Sequence, residues 1–456
     1  MTPETTRILL ETSTVTGLVA PALLFAFFSA WALTGRPPQE RIFGAAIRIT
    51  MIVSVAAFLL AGALFVTSGT RTLEVPLGTW ISTSSSHLDL ALLCDRLSLP
   101  LAIYSSLLSG IVGIFAIRYM TREPGFTRFF VLFALFWIGM LLVVLAGNVE
   151  LLYGGWEFVG VSSALLIAYF HERPDPCANG IRAYIVYKIC DLGLIAAALL
   201  CHHWLGGGDF NLLFGTAAWP AGDSALTGGQ ALIIGLLFAF SAAGKSAQVP
   251  FSGWLPRAME GPTPSSAIFY GALSVHAGAF LLLRIGPLLQ QAPLAAAAVI
   301  CMGLATATYA TLVGRVQTDI KSALAYSALT QVSIIIVEIG CGLRYLALLH
   351  LIGHAAVRSL QILRSPSLLH DRHELEDATG GAAGTNTTML RPSWFHTERL
   401  LPQAFRRFIF RLSLERGNWD SALETFVVTP FLALFRAADR IERAVIQRIF
   451  KRGESS

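Results

Sequence analysis

The sequence predicts an all-α protein, a polytopic transmembrane helix bundle that ends in amphipathic helices. Three observations predict it. Hydrophobic residues make up 54% of the 456 residues and charged residues only 13%, where a soluble globular domain is about a quarter charged. About eleven apolar runs recur, each long enough to cross a ~30 Å hydrocarbon core as a helix. Arginines gather in alternate gaps between those runs, as the positive-inside bias requires. This composition excludes a soluble enzyme, a disordered chain and a disulfide scaffold. Six cysteines (Cys94, Cys177, Cys190, Cys201, Cys301, Cys341) form no CxxC pair, so neither a zinc knuckle nor a bridge framework is legible. The net charge of +5 is spread over loops and tail, which suits membrane topology and not nucleic-acid binding.

The runs fall at 13–34, 43–67, 96–118, 127–147, 149–170, 183–204, 229–248, 264–286, 293–314, 321–342 and 345–363. Arg7 is the only basic residue before the first run, too little charge and too long a run for a cleaved signal peptide. Residues 1–95 hold two helices and an external loop. One set of loops carries Arg36 and Arg41, Arg118 and Arg122, Arg173 and Arg182, then Arg257 and Arg315. The opposite loop at 205–228 has no Lys or Arg. An external N-terminus and a cytoplasmic tail follow, in a cell inner membrane.

Two helices look interrupted. Gly244, Pro250, Gly253, Pro256, Pro262 and Pro264 punctuate an apolar stretch. Irregular backbone at membrane depth is tolerated where it lines a cavity, and broken helices mark ion sites in transporters. Prolines at ordinary helix boundaries are the alternative. From 364 the chain turns polar. Beyond a Gly/Thr-rich linker, Phe405, Phe408, Ile409 and Leu412 recur at helical spacing, with Arg406, Arg407 and Arg411 elsewhere on the wheel. Leu434, Ala438, Ile441 and Val445 follow, opposed by Arg436, Arg440 and Arg443. These read as basic amphipathic helices on a membrane surface or a partner. A soluble coiled coil is the competing reading.

Lysine carries the functional signal. Only four of the 33 basic residues are lysines, and Lys188, Lys245 and Lys321 fall within or at the ends of apolar runs. A charged lysine at helix centre costs about 2.5–3.5 kcal/mol on insertion scales, so each needs a partner or a proton-transfer role. Lys188 and Asp191 are i, i+3 and share a face. Glu157 sits mid-run with no base in its own helix, and Lys188 and Lys245 are its candidate cations. His350, His354 and Arg358 stand at i, i+4, i+8, and His276 lies deep in the eighth run. Imidazoles titrate near neutral pH and relay protons. Asp319 and Lys321 lie at a helix start, where an interfacial role is equally compatible; a structural ion pair is the bland reading of Lys188 and Asp191. No HExxH glutamate accompanies His350 and His354, and the His370–His373–Glu374 group sits in the polar linker, so no metal site is expected.

GGWEFVGVSSALLIAYF, KICDLG, AAGKSAQVPFSGWLPRAMEGPTPSSA, VQTDIKSALAYSALTQ and HLIGHAAVR resemble the proton-pumping membrane subunits of respiratory complex I and the Mrp-type antiporters, over residues 90–363. The resemblance implies two inverted helix repeats, 96–286 and a truncated second one at 287–363, and a tail at 364–456. It implies Glu157 as the paired glutamate, Lys245 as the broken-helix lysine, and His350 and His354 on the central axis. The sequence departs from the pattern with Tyr270 where a histidine usually stands, and with Arg358 in place of a lysine. RAMEGPTPSSAIFYGALSVHAG and LQILRSPSLLHDRHELEDATG are similar to the membrane subunits of DAB-type inorganic-carbon accumulation systems. That similarity implies a large soluble partner resembling a zinc carbonic anhydrase, with the zinc in the partner and no cofactor in this chain. The chain is then expected to pass protons or sodium and to be no enzyme by itself. A redox-linked pump subunit of a complex I-like or hydrogenase assembly is the other reading.

Overall fold

Long apolar runs become helices, and the polar segments between them become short turns. The computed structural model describes residues 2–82, 87–317, 319–378 and 402–453. The Gly/Thr-rich part of the linker lies outside the described residues, as do the side chains of His370, His373, Glu374, Phe405, Arg406 and Val445. In chain order, α1 (Pro3–Leu33) and α2 (Glu40–Ser68) precede a two-stranded antiparallel hairpin, β1 (Leu73–Ser82) with β2 (His87–Cys94). The bundle continues with α3 (Ser98–Tyr119), α4 (Phe126–Leu145), α5 (Val149–Ile167), α6 (Pro174–Leu205), the short α7 (Phe210–Phe214) and α8 (Gly228–Lys245). The pieces α9 (Trp254–Arg257), α10 (Thr263–Ser266), α11 (Ala277–Arg284) and α12 (Gly286–Gln291) come next. The long α13 (Pro293–Gly314), α14 (Ile320–Gly340) and α15 (Arg344–Ala378) complete the bundle, and α16 (Gln403–Leu414), α17 (Trp419–Leu423) and α18 (Thr429–Gly453) form the tail.

Among the described residues, eleven helices are long and apolar enough to cross a membrane. The α5 helix is not one of them, because Glu150 and Glu157 lower its apolarity, yet it packs between α4 and α6. The run Arg416–Ala444 is one of them. Its apolar half, Leu423 to Phe435, precedes the arginines that cluster after residue 435, and that amphipathic pattern is the one the sequence reads as a helix on a membrane surface or a partner. The external loop holds one small hairpin, in which HLDLALLC pairs with LEVPLGTWIS. The segment from 364 is not all linker either, since α15 continues to Ala378.

The backbone departs from the α-helix at two places. The first follows α8, which ends at Lys245 and gives way to a non-helical turn with Ala247 at φ 52°. The second is not at Pro262 or Pro264, which stand at the start of α10, where a missing N–H costs nothing. It is a π-helical turn at Ala267–Ala272 followed by a 3-10 turn at Ser274–His276. No proline marks it. Proximity explains one glycine: a Cβ at Gly244 would overlap the Cys190 side chain, so α6 and α8 meet at backbone range just where Lys245 emerges.

The hairpin defines one end of the bundle. Gly147 N–H donates to the Ala91 carbonyl at 2.8 Å. At the same end Asp95 caps α3, accepting from the N–H groups of Leu97 (3.0 Å) and Ser98 (2.8 Å), and forms an ion pair with Arg284 of α11. Both side chains are at most 3% exposed.

Candidate proton path

Glu157 on α5 forms an ion pair with Lys188 on α6. Facing helices thus meet the charge cost of Glu157 that its own helix cannot. Lys188 also lies over the Tyr184 ring at 5.2 Å. Asp191 does not pair with Lys188, as their shared helix face suggested. Its carboxylate accepts from the Trp156 indole Nε1 at 2.6 Å and is buried.

The same tryptophan joins the next cation. Lys245, 1% exposed, donates to the Trp156 backbone carbonyl at 3.0 Å. Its ammonium lies 4.3 Å from the Tyr187 ring centroid and 5.2 Å from that of Trp156, a placement worth about 2 kcal/mol when desolvated. Gly160 leaves the space: a Cβ there would come within 2.9 Å of Lys245 Nζ. Glu157, Lys188, Asp191 and Lys245 therefore form one group, knitted by Trp156.

The histidines form a second group. His276 Nδ1 donates to the Ala272 carbonyl, which can only accept, so its Nε2 accepts from His354 Nδ1 at 3.0 Å. His354 Nε2 is buried without a partner among the described residues. The His350 and His354 rings lie 6.4 Å apart, but the stripe does not run on to Arg358, which turns to Ser327 Oγ at 2.9 Å. His350 binds Glu338 Oε1 through Nδ1 at 2.9 Å and Gln331 Oε1 through Nε2 at 3.2 Å.

Between the groups lies the break. Ser246 Oγ donates to the Val275 carbonyl at 2.7 Å, tying the turn after Lys245 to the turn that carries His276. Tyr187, Ser252, Tyr270 and Ser274 bury hydroxyls there that have no partner among the described residues. Buried polar groups left unpaired are costly, which favours water in this region. Tyr270, at the position where the family pattern has a histidine, packs against Trp254 at 5.7 Å between ring centroids.

Asp319 and Lys321 lie outside both groups. Asp319 is exposed and caps α14 by accepting from Ser322 N–H at 2.7 Å; Lys321 lines a surface hollow with Glu260 and Arg257. Helix-end placement, visible in the sequence, accounts for both. Of the tail arginines, Arg407, Arg411, Arg436 and Arg440 are exposed, while Glu424 pairs with Arg182 of α6 and holds the tail to the bundle.

At the hairpin end, Glu150 meets His202 at 2.6 Å and Asn211 binds Glu74 at 2.7 Å. Asp209 joins these acids. Burial pushes its carboxyl above the usual range, with Glu74, Glu150 and Asp89 adding repulsion and Asn148 opposing it. Among the described residues no three His, Cys, Asp or Glu side chains gather as a metal site.

The sequence reasoning missed Trp156, Gln331, Glu338 and the Asp95–Arg284 pair. Glu338 interrupts the apolar run VSIIIVEIG just as Glu157 interrupts its own, so the same criterion would have found it. Trp156 carried no signal, since a tryptophan in an apolar helix is ordinary.

A family described as NADH:quinone oxidoreductase/Mrp antiporter, transmembrane, matches residues 146–383, and the complex I chain 5 N-terminal family matches residues 80–130. NADH-quinone oxidoreductase subunit L of Mycobacterium tuberculosis (strain CDC 1551 / Oshkosh) is 35% identical over 325 residues, 71% of this chain and 50% of that protein. NADH-ubiquinone oxidoreductase chain 5 of Allomyces macrogynus is 33% identical over 305 residues, 67% of this chain and 47% of that protein. The chain thus spans about half the length of these relatives. The Mrp complex structure from Dietzia sp. DQ12-45-1b matches with TM-score 0.62 and 25% identity, over 78% of this chain and 37% of that chain. The archaeal membrane-bound sulfane sulfur reductase shares the fold, with TM-score 0.64 at 17% identity, over 77% of this chain and 70% of that chain.

Proposed function

The chain belongs to the NADH:quinone oxidoreductase/Mrp antiporter membrane-subunit family, and on that premise we propose that it conducts protons as one subunit of a complex I-like energy-converting assembly. The observation that carries this reading is the Trp156 junction, which holds Lys245 and Asp191 beside the Glu157–Lys188 pair. Proton movement changes the charge of each member in turn, and each member has a partner placed to answer that change. Residues Glu157, Lys188, Asp191 and Lys245 make the first half of the path, and His276, His354 and His350 the second, bridged through the hydroxyl-lined break. Two inverted repeats frame the halves, with the second shortened. Arginine placement orients the N-terminus outside and the tail in the cytoplasm of a bacterial inner membrane. There Arg407, Arg411, Arg436 and Arg440 offer a basic surface to lipid headgroups or a partner. The chemistry that proton flow drives belongs to that partner and not to this chain.

Proton uptake by the purified assembly in liposomes, under an imposed potential, tests the reading. Glu157→Gln and Lys245→Met should each lower flux at least tenfold while the assembly stays intact. Undiminished flux in either overturns it.

A second reading concerns what the flow drives. The motifs RAMEGPTPSSAIFYGALSVHAG and LQILRSPSLLHDRHELEDATG support coupling to CO2-to-bicarbonate conversion by a large soluble zinc carbonic-anhydrase-like partner. His276, which bonds His354, lies in the first of them. Identifying the co-purifying subunits separates the two: iron–sulfur or flavin proteins support the redox assembly, and a single large zinc protein supports the inorganic-carbon one.

A further inference from the structure

His350 ends the path described so far, and Glu338, which it contacts, has no part in that path. Their placement says more. Glu338 lies two residues from the end of α14, at the hairpin end of the bundle, because Arg344 just beyond it binds the carbonyls of Pro220 and Gly286. One of its carboxylate oxygens faces His350 Nδ1, while the other, Oε2, is buried with no partner among the described residues. His350 Nε2 faces Gln331, about 10 Å back along α14 by helical rise. Gln331 lines a groove of about 300 Å³ between α13 and α14, together with Thr311, Arg315, Ser327 and Thr330. Its hydroxyl, amide and guanidinium groups can hold water along walls that are otherwise apolar, and Arg315 puts the groove toward the end of α13 away from the hairpin.

One imidazole therefore touches an amide at the edge of a groove reaching toward one side of the bundle and a carboxylate set toward the other. We propose that Glu338 is a further proton-carrying residue, the terminal carboxylate of the path on the hairpin side, loaded by His350. In that step the imidazolium Nδ1–H bond breaks as the Glu338 Oε1–H bond forms. Neutral His350 is left protonated at Nε2, facing Gln331, and Glu338 is left as a neutral acid whose proton passes to water at the hairpin end. His350 binding two oxygen acceptors at once fits the doubly protonated ring this step starts from. The inference rests on the proton-conducting reading above and adds its terminal station.

The test uses the full assembly in liposomes. Glu338→Gln should lower flux at least tenfold, and Glu338→Asp should keep a third or more of it. An infrared pH titration should show a protonated-carboxyl band, shifted in D2O, that is lost in Glu338→Gln. Full flux in Glu338→Gln overturns the proposal. So does a loss of flux in both variants with the infrared band unchanged, which a merely structural carboxylate would give. Should Glu338→Gln fail to assemble, the flux and band of Glu338→Asp decide in the same way. Glu157→Gln run in parallel separates the two levels: flux lost there but kept in Glu338→Gln sinks this inference alone, while a wild type without flux sinks both.

Discussion

Lys245 gives its ammonium to the backbone carbonyl of Trp156, and the indole of the same residue holds Asp191. A cation from α8 and an anion from α6 are thereby fixed against a single residue of α5. The arrangement keeps opposite charges in register without a direct ion pair, so either can change protonation without pulling the helices apart.

Trp156→Phe should keep the ring under Lys245 and remove the donor to Asp191. A buried carboxylate stripped of a donor loses about 1–3 kcal/mol. Proton flux should fall about tenfold while the assembly elutes unchanged on gel filtration. Flux within twofold of the wild type would show that the indole N–H is dispensable.

Gly160→Ala places a methyl 2.9 Å from Lys245 Nζ, against the far end of a flexible side chain and not against backbone. The fold should tolerate it, with a thermal midpoint within a few degrees of the wild type. Flux should drop severalfold, because the ammonium must leave the Trp156 carbonyl. Dye-monitored proton uptake checks this without altering any charged residue.

Asp95→Ala strands Arg284 in the interior. Breaking one partner of a buried pair costs about 3–5 kcal/mol, and Asp95 also caps α3. Thermal unfolding in detergent should show a marked fall in midpoint. The double variant Asp95→Ala/Arg284→Met should recover part of that loss.

Asp209→Asn tests the acidic hairpin end. A carboxyl held above its ordinary range binds its proton more tightly when folded, so it lowers stability as pH rises through and above that range. The variant should therefore melt higher than wild type at neutral pH, and equally near pH ~3, where both forms are uncharged. A higher melting point at both pH values would point to a cause other than charge.

The helices were legible because membrane spans are written in runs of apolar residues, and nearly every boundary lies within a few residues of its run. α1 and α6 begin about nine or ten residues early because their first turns are polar and leave no apolar trace. Glu157, Lys188, Asp191, Lys245 and the histidines were legible because ionisable groups are rare in such runs. Their pairing was legible in part: the lack of a base on its own helix left Lys188 or Lys245 as the cation for Glu157, and Lys188 is the one that pairs. Spacing along one helix also put Lys188 with Asp191 and His350 with His354, whereas packing between helices joined Asp191 to Trp156 and His276 to His354. Contacts across 31 and 78 residues of chain depend on how helices rotate against each other, which no local pattern records.

The π-helical turn at Ala267–Ala272 holds one residue more than an α-helical course over that stretch would use. Each residue advances an α-helix by about 100°. Without the surplus residue, the imidazole of His276 would point elsewhere around its axis and miss His354. The meeting of the two halves of this membrane chain thus hangs on the azimuth set by a single widened coil.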